Sequence, residues 1–134
     1  MIFVLGTNVL SEGAEPTPDP KVLDFLRRLP LEKHAPSAIV LGEIAQGVEN
    51  HPTPRLKTFL AEVLALPLAE FGEAEALEWG RLTSRALKAG LSVRVRDSQI
   101  AATAAVRDWT VATRDTQDFT PFGVRVFNPW VDKL

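Results

Sequence analysis

The chain of 134 residues contains no cysteine, which excludes disulfide bonds and thiolate metal sites. It also lacks any apolar run approaching the roughly 20 residues that a membrane-spanning helix needs. Its first residues show neither the basic region nor the small-residue cleavage site of a signal peptide. We therefore expect a cytoplasmic protein with no membrane association.

Neither sign of charge dominates, since the formal net charge is −2 at pH 7. The chain as a whole is therefore not an electrostatic nucleic-acid binder, and any such binding must use a local patch. The sequence has no glycine-rich phosphate loop, no zinc-binding spacing and no supported Ser/His/Asp arrangement. Its two histidines, His34 and His51, fall in predicted turns and are expected to be solvated.

Short apolar runs alternate with amphipathic segments along the chain and predict strands alternating with helices. The predicted strands are residues 2–5, 67–71, 110–113 and 124–127. The predicted helices are residues 20–29, 38–49, 56–65, 73–89 and 98–107, and Asp19 and Ser37 are predicted to be the N-caps of the first two. Residues 34–36 are expected to be an extended connector. This alternation predicts a parallel sheet with helices on its faces, in a single domain over residues 1–134.

Sheets of this kind carry their functional sites at the carboxyl ends of the strands. Three segments therefore need inspection: Gly6-Thr7-Asn8, the loop before Asp97, and Thr113-Arg114-Asp115. The first is predicted to be a polar turn that offers a hydroxyl and an amide but no carboxylate.

Acidic residues from three distant segments can meet at these strand ends. Glu43 lies on an otherwise apolar helix, where a carboxylate is costly unless it is paired or bound to a metal. Asp97 is predicted to be the N-cap of its helix, and Asp115 or Asp118 could simply cap the following turn. Acids without cysteine or histidine partners suit Mg²⁺ or Mn²⁺, which prefer oxygen ligands.

The segment RLTSRALKAGLSVRVR, residues 81–96, is basic and contains no acid. Favourable placement of bases near a helix C-terminus explains its first part. It does not explain Arg94 and Arg96, which lie beyond Gly90 and flank the approach to Asp97. A basic rim beside a carboxylate site is what a phosphate-backbone substrate requires, and Arg114 is a third candidate for that rim.

These residues resemble the PIN-domain family, in its VapC toxin branch. The resemblance runs almost end to end, through FVLGTNVLSE, APSAIVLGEIAQGVE, RDSQIAATAAVRDWTVATRDTQDF and VRVFNPW. It implies an α/β fold, a three-layer α/β/α sandwich with a central mostly parallel sheet. It also implies an endoribonuclease dependent on Mg²⁺ or Mn²⁺, the toxin of a type II toxin–antitoxin pair, with an RNA substrate, a cognate antitoxin and a homodimeric state.

The family pattern also implies which residues form the site. One acid follows the first strand, one lies in the second helix block, one opens the IAATA helix and one lies in the TRD turn. The last three fall on Glu43, Asp97 and Asp115. The accompanying polar positions fall on Thr7, Asn8, Thr113 and, less constantly, Asp118.

The first acid is the one departure, because Gly6 stands where the family pattern has aspartate. We interpret Gly6 as the loss of a metal ligand, through natural decay or through an inactivating change that was selected or engineered. The nuclease is then inactive or impaired. The alternative is a non-catalytic PIN-fold module that binds antitoxin or RNA without cleavage. A receiver-like domain would need an acidic pair after the first strand and a strand-end lysine, and the sequence has neither.

Overall fold

The structure is a computed structural model that describes residues 2–134. The strands are β1 (Phe3–Leu5), β2 (His34–Pro36), β3 (Thr110–Ala112) and β4 (Val126–Phe127). The α-helices are α1 (Thr7–Gly13), α2 (Pro20–Arg28), α3 (Ala38–Asn50), α4 (Pro54–Leu64), α5 (Glu73–Lys88) and α6 (Val95–Arg107). Two 3-10 helices span Leu31–Lys33 and Thr116–Phe122.

The four strands form one sheet in the order β2-β1-β3-β4, and every pairing is parallel. In the central strand β1, Phe3, Val4 and Leu5 are all at most 1% exposed. Successive strand residues point to opposite faces, so both faces of the sheet are covered. The three-layer α/β/α prediction is therefore confirmed.

An aromatic cluster forms part of the core between β1, α2 and β4. Phe3 meets Phe25 and Phe127 edge-on, with ring centroids 5.1 and 5.4 Å apart. Phe25 and Phe127 stack on each other with centroids 5.2 Å apart. These contacts join the centre of the sheet to α2 and to the β4 edge.

Helix α6 packs against α5, β1 and β3. Its residues Ile100–Ala104 are all buried, and most of their side chains are alanine or threonine. Small side chains let a helix lie close to its neighbours, as the alanine-rich sequence predicted. The close packing determines where the first turn of α6 lies relative to the strand ends.

Two predicted elements are wrong in type. The connector at residues 34–36 is strand β2, which pairs with β1 through Phe3↔His34 and Leu5↔Pro36. The predicted strand at 67–71 contributes only an isolated bridge between Ala69 and Ser37. Ala69 donates to the carbonyl of Pro36 and accepts from Ala38, each at 2.9 Å, so the segment lies beside the end of β2 without extending the sheet.

The predicted turn at Gly6-Thr7-Asn8 is also wrong, because α1 begins at Thr7 directly after Gly6. His34 is not solvated: it is 8% exposed, and its Nδ1 atom has no hydrogen-bond partner among the described residues. His51 is exposed as expected, at the C-cap of α3. No helix within residues 2–134 is long and apolar enough to cross a membrane.

Candidate active site

One cavity of about 270 Å³ lies at the carboxyl ends of β1 and β3 and gathers most of the predicted site residues. It is lined by Gly6, Thr7, Asn8, Glu43, Asp97, Ile100, Thr113, Asp115 and Phe119. Of these, Ile100 and Phe119 were not predicted as site residues. Both are apolar and buried, and they form walls of the cavity beside its polar groups.

Ser37 fixes the start of α3, the helix that carries Glu43. Its side chain is fully buried and accepts a hydrogen bond from the Val40 amide at 3.0 Å, so the predicted N-cap is confirmed. Glu43 lies nearly two helical turns further on, with its side chain 22% exposed. Its carboxylate is paired with Arg96 of α6, at 3.3 Å between Oε2 and Nη1.

Asp97 lies in the first turn of α6, but it is not the N-cap as predicted. Arg94 is the N-cap and the helix begins at Val95, which makes Asp97 its third residue. The next residue, Ser98, is fully buried and accepts a hydrogen bond from Trp79 Nε1 at 2.8 Å. This bond attaches the first turn of α6 to α5 and so helps to position Asp97.

Asp115 follows the end of β3 and precedes the 3-10 helix Thr116–Phe122. Its side chain makes no capping hydrogen bond. Instead, Asp115 Oδ2 accepts from Asn8 Nδ2 at 3.0 Å, and its amide donates to Thr113 Oγ1 at 3.1 Å. Thr113 is itself buried and attached to the β4 end of the sheet, since its amide donates to the Phe127 carbonyl at 2.9 Å.

The other acids near the cavity affect the ionisation of Asp97. The pKa of Asp97 is raised above its ordinary value, first by burial and then by the nearby negative charge of Asp118. Arg94 opposes this rise, whereas Glu43 and Asp115 add to it. Each acid therefore disfavours ionisation of Asp97, as neighbouring carboxylates do when no cation neutralises them.

The backbone at Gly6 does not require glycine. Its φ of −73° and ψ of 161° are extended values that any residue adopts. A Cβ atom built there would lie 3.4 Å from Asn8 Oδ1 and 3.6 Å from Thr113 Cβ, both in the cavity wall. It would also lie 3.0 Å from the Ala112 carbonyl oxygen, so a side chain needs a shift of a few tenths of an ångström.

The chemical groups that line the cavity are of the type that binds a hard divalent cation such as Mg²⁺ or Mn²⁺. All the charged groups lining the cavity are carboxylates, and Asn8 Oδ1 is a buried oxygen with no hydrogen-bond partner among residues 2–134. As the side chains are arranged, however, no three acidic or histidine groups of the described chain are close enough to share one ion. Glu43 and Asp115 each have a protein partner instead, Arg96 and Asn8.

Two of the three arginines predicted to form a basic rim are paired with acids. Arg96 contacts Glu43, and Arg94 lies 3.9 Å from Asp118. Arg114 stacks over the ring of Trp130, with its guanidinium carbon 4.9 Å from the ring centroid. Both ion pairs join residues far apart in sequence, and no local spacing in the sequence signals them.

Comparisons with known proteins agree with this architecture. The PIN domain family matches residues 3–121. Toxin FitB of Neisseria gonorrhoeae is 36% identical over 98% of this chain and all of its own length. VapC ribonuclease Y4jK of Sinorhizobium fredii is 31% identical over 96% of this chain and 98% of its own.

Among solved structures, the crystal structure of FitAcB from Neisseria gonorrhoeae superposes with a TM-score of 0.85. It is 36% identical and covers 97% of this chain and 99% of its own. The family match, the near-complete coverage of these relatives and the parallel sheet with its strand-end acids show that this chain belongs to the PIN-domain family.

Proposed function

We propose that the chain, over residues 1–134, is one PIN-like domain descended from a metal-dependent endoribonuclease toxin, and that Gly6 leaves its nuclease activity absent or impaired. The observation that carries the proposal is that Glu43, Asp97 and Asp115 line one cavity together with the extended backbone of Gly6. One relative is a ribonuclease and another a toxin, which supports this choice of activity.

In the proposed site, Glu43, Asp97, Asp115 and an acid at position 6 would hold Mg²⁺ or Mn²⁺. Such a cation supplies charge that activates water for attack on a phosphodiester and stabilises the leaving oxygen. Glycine at position 6 removes one carboxylate from this set, and with it both charge and orientation.

The surrounding polar residues then act on the acids. Asn8 holds the Asp115 carboxylate by a 3.0 Å hydrogen bond, and Thr113 Oγ1 accepts a hydrogen bond from the Asp115 amide. Thr7 lines the cavity at the start of α1 and is proposed to orient water or substrate there. Asp118 raises the pKa of Asp97 and so acts on the site electrostatically. Groups of this kind commonly tune the affinity of a metal site.

We further propose that Arg94, Arg96 and Arg114 contact the phosphates of an RNA substrate. All three are exposed, the first two contact acids near Asp97, and Arg114 is next to Asp115 in sequence. The toxin relative supports the proposal of a cognate antitoxin as a protein partner, and the family resemblance alone suggests a homodimeric state. With an RNA substrate and an antitoxin partner, the protein is proposed to act in the cytoplasm.

Gly6 itself favours a second candidate function. A chain that keeps the toxin's surface but lacks one metal ligand could bind antitoxin or RNA without cutting. If the chain is a non-catalytic module in this sense, the rest of the site no longer supports cleavage either, and Gly6→Asp also leaves RNA uncut.

Cleavage of a mixed RNA pool with Mn²⁺ or Mg²⁺ separates the two candidates. The variants are the chain itself, Gly6→Asp, and Gly6→Asn as a control of matched shape without charge. Adding Asp97→Asn to Gly6→Asp controls for contaminating nuclease. Cleavage by Gly6→Asp alone, abolished by EDTA and by the added substitution, supports the nuclease. Folded variants that all fail to cut support the binding module.

A further inference from the structure

Arg96 forms an ion pair with a proposed metal ligand within the same chain. Its Nη1 atom lies 3.3 Å from Glu43 Oε2, although the two residues are 53 positions apart. The Arg96 side chain is 65% exposed, whereas that of Glu43 is 22% exposed. A largely exposed guanidinium group on α6 therefore contacts a more enclosed carboxylate on α3.

Arg94, the N-cap of α6, makes a longer contact with another acid. Arg94 Nη1 lies 3.9 Å from Asp118 Oδ2, on the 3-10 helix after β3. Asp97 directly follows Arg96 in sequence, and the nearby acids raise its pKa in addition to burial. The two guanidinium groups thus supply positive charge to a site whose acids repel one another.

We propose that Arg96 is a built-in competitor for the divalent cation, occupying Glu43 in the metal-free protein and leaving it when the cation binds. This inference rests on the proposed function, because it assumes that Glu43 is a metal ligand. A guanidinium and a divalent cation at the same carboxylate repel each other, so occupancy by one disfavours the other.

The expected size of the effect follows from the exposure of the pair. Exposed ion pairs contribute little because water and salt screen them. Removing Arg96 is therefore expected to tighten cation binding by about two- to fivefold, the range that such a pair is worth. If Arg96 instead positions Glu43 for the cation, removing it weakens binding, and the two roles give opposite signs.

The test is a titration with Mn²⁺ in the absence of RNA, following free Mn²⁺ by electron paramagnetic resonance. Arg96→Gln is compared with its parent in both the Gly6 and the Gly6→Asp chains. Arg28→Gln is the matched control, because it also removes one arginine that pairs with an acid, Asp24, at 3.0 Å, on α2. Tighter binding in Arg96→Gln alone supports the proposal. Unchanged or weaker binding overturns it.

A second measurement needs no cation. A double-mutant cycle of Arg96→Gln and Glu43→Gln, read from urea unfolding with EDTA present, measures the coupling of the pair directly. A favourable coupling that declines with added salt is expected, and no coupling overturns the proposal.

The outcomes separate this inference from the proposed function. If Mn²⁺ binding is saturable and its affinity is the same with and without Arg96, the competition by Arg96 is wrong but the proposed metal site is retained. No Mn²⁺ binding by any variant, with Gly6→Asp included, rejects both. RNA cleavage by Gly6→Asp tests the proposed function alone.

Discussion

Asn8 Nδ2 donates a hydrogen bond to Asp115 Oδ2 at 3.0 Å, across 107 residues of sequence. The bond joins the first turn of α1 to the loop after β3, and so connects the carboxyl ends of two neighbouring strands. The other end of the same amide, Oδ1, is buried without a hydrogen-bond partner in the described part of the chain, and it lies 3.4 Å from where a Cβ at Gly6 would be. Asn8 thus lies between a retained acid and the position of the missing one.

Replacing Asn8 with alanine should therefore affect the site more than the fold. We expect the free energy of unfolding to fall by about 1 kcal/mol or less, because Asp115 is exposed and water can replace the lost bond. In the Gly6→Asp chain we expect RNA cleavage to fall by about 10-fold or more, as when a metal ligand loses its supporting partner. Urea unfolding and cleavage rates check both numbers. Equal cleavage with and without Asn8 would show that the bond has no part in the site.

Asp97 should make stability depend on pH in an unusual direction for a carboxylate. Its folded pKa is raised, so the folded protein binds its proton more tightly than the unfolded chain does. Stability then falls as pH rises from the ordinary aspartate pKa, about 3.9, through the raised folded value. Burial and neighbouring acids outweigh the favourable helix N-terminus here.

Asp97→Asn should accordingly stabilise the metal-free protein at pH 7, with a gain that shrinks toward pH 4. Urea unfolding at both pH values, with EDTA present, measures the gain. Asp24→Asn, on the exposed side of α2, controls for the loss of one negative charge. A destabilised Asp97→Asn at pH 7 would contradict the proposed repulsion among the acids.

Ser37→Ala should destabilise the fold through the start of α3. The cap bond to the Val40 amide is buried, and loss of a serine N-cap typically costs about 1 kcal/mol, within a range of 0.5–2. Because α3 carries Glu43, we also expect weaker Mn²⁺ binding. Thr53→Ala is the matched control: it removes the exposed N-cap of α4, whose Oγ1 accepts from Leu56 at 3.2 Å. A control that weakens Mn²⁺ binding equally would show a general stability effect.

Adding a carboxylate at position 6 should make stability depend on the cation. Without metal, Gly6→Asp should be less stable than Gly6→Asn, because it adds one more negative charge among the acids. Free Mn²⁺ at ten times its Kd should return about 1.4 kcal/mol to Gly6→Asp, and EDTA should remove that gain. Thermal unfolding of both variants with and without Mn²⁺ checks this. Equal shifts in the two variants would place the cation elsewhere.

The meeting of Glu43, Asp97 and Asp115 could be predicted from the sequence because it follows from topology. The carboxyl ends of parallel strands meet at one edge of a sheet, and each acid lies at such an end or on a helix that begins there. The caps at Asp19 and Ser37 could be predicted for a similar reason, since each needs only a local backbone bond.

Other features depend on interactions that local sequence does not encode. Helix α1 was missed because it has seven residues and no capping side chain at Gly6. The sequence predicted a strand at residues 67–71 and missed strand β2. Both segments are short, and only pairing with β1 distinguishes a strand from a connector here. The contact of Arg96 with Glu43 depends on how α3 and α6 pack, so the sequence predicted a basic rim without its partners.

The most direct test of the central claim is the rate of RNA cleavage in Mn²⁺ by this chain and by its Gly6→Asp variant at equal concentration. Loss of a single stabilising group at an active site commonly costs about 10²–10³ in rate. We predict a gain of that order in Gly6→Asp, absent in Gly6→Asn and abolished by EDTA. Equal rates in the chain and the Gly6→Asp variant would contradict the claim that Gly6 replaces a metal ligand.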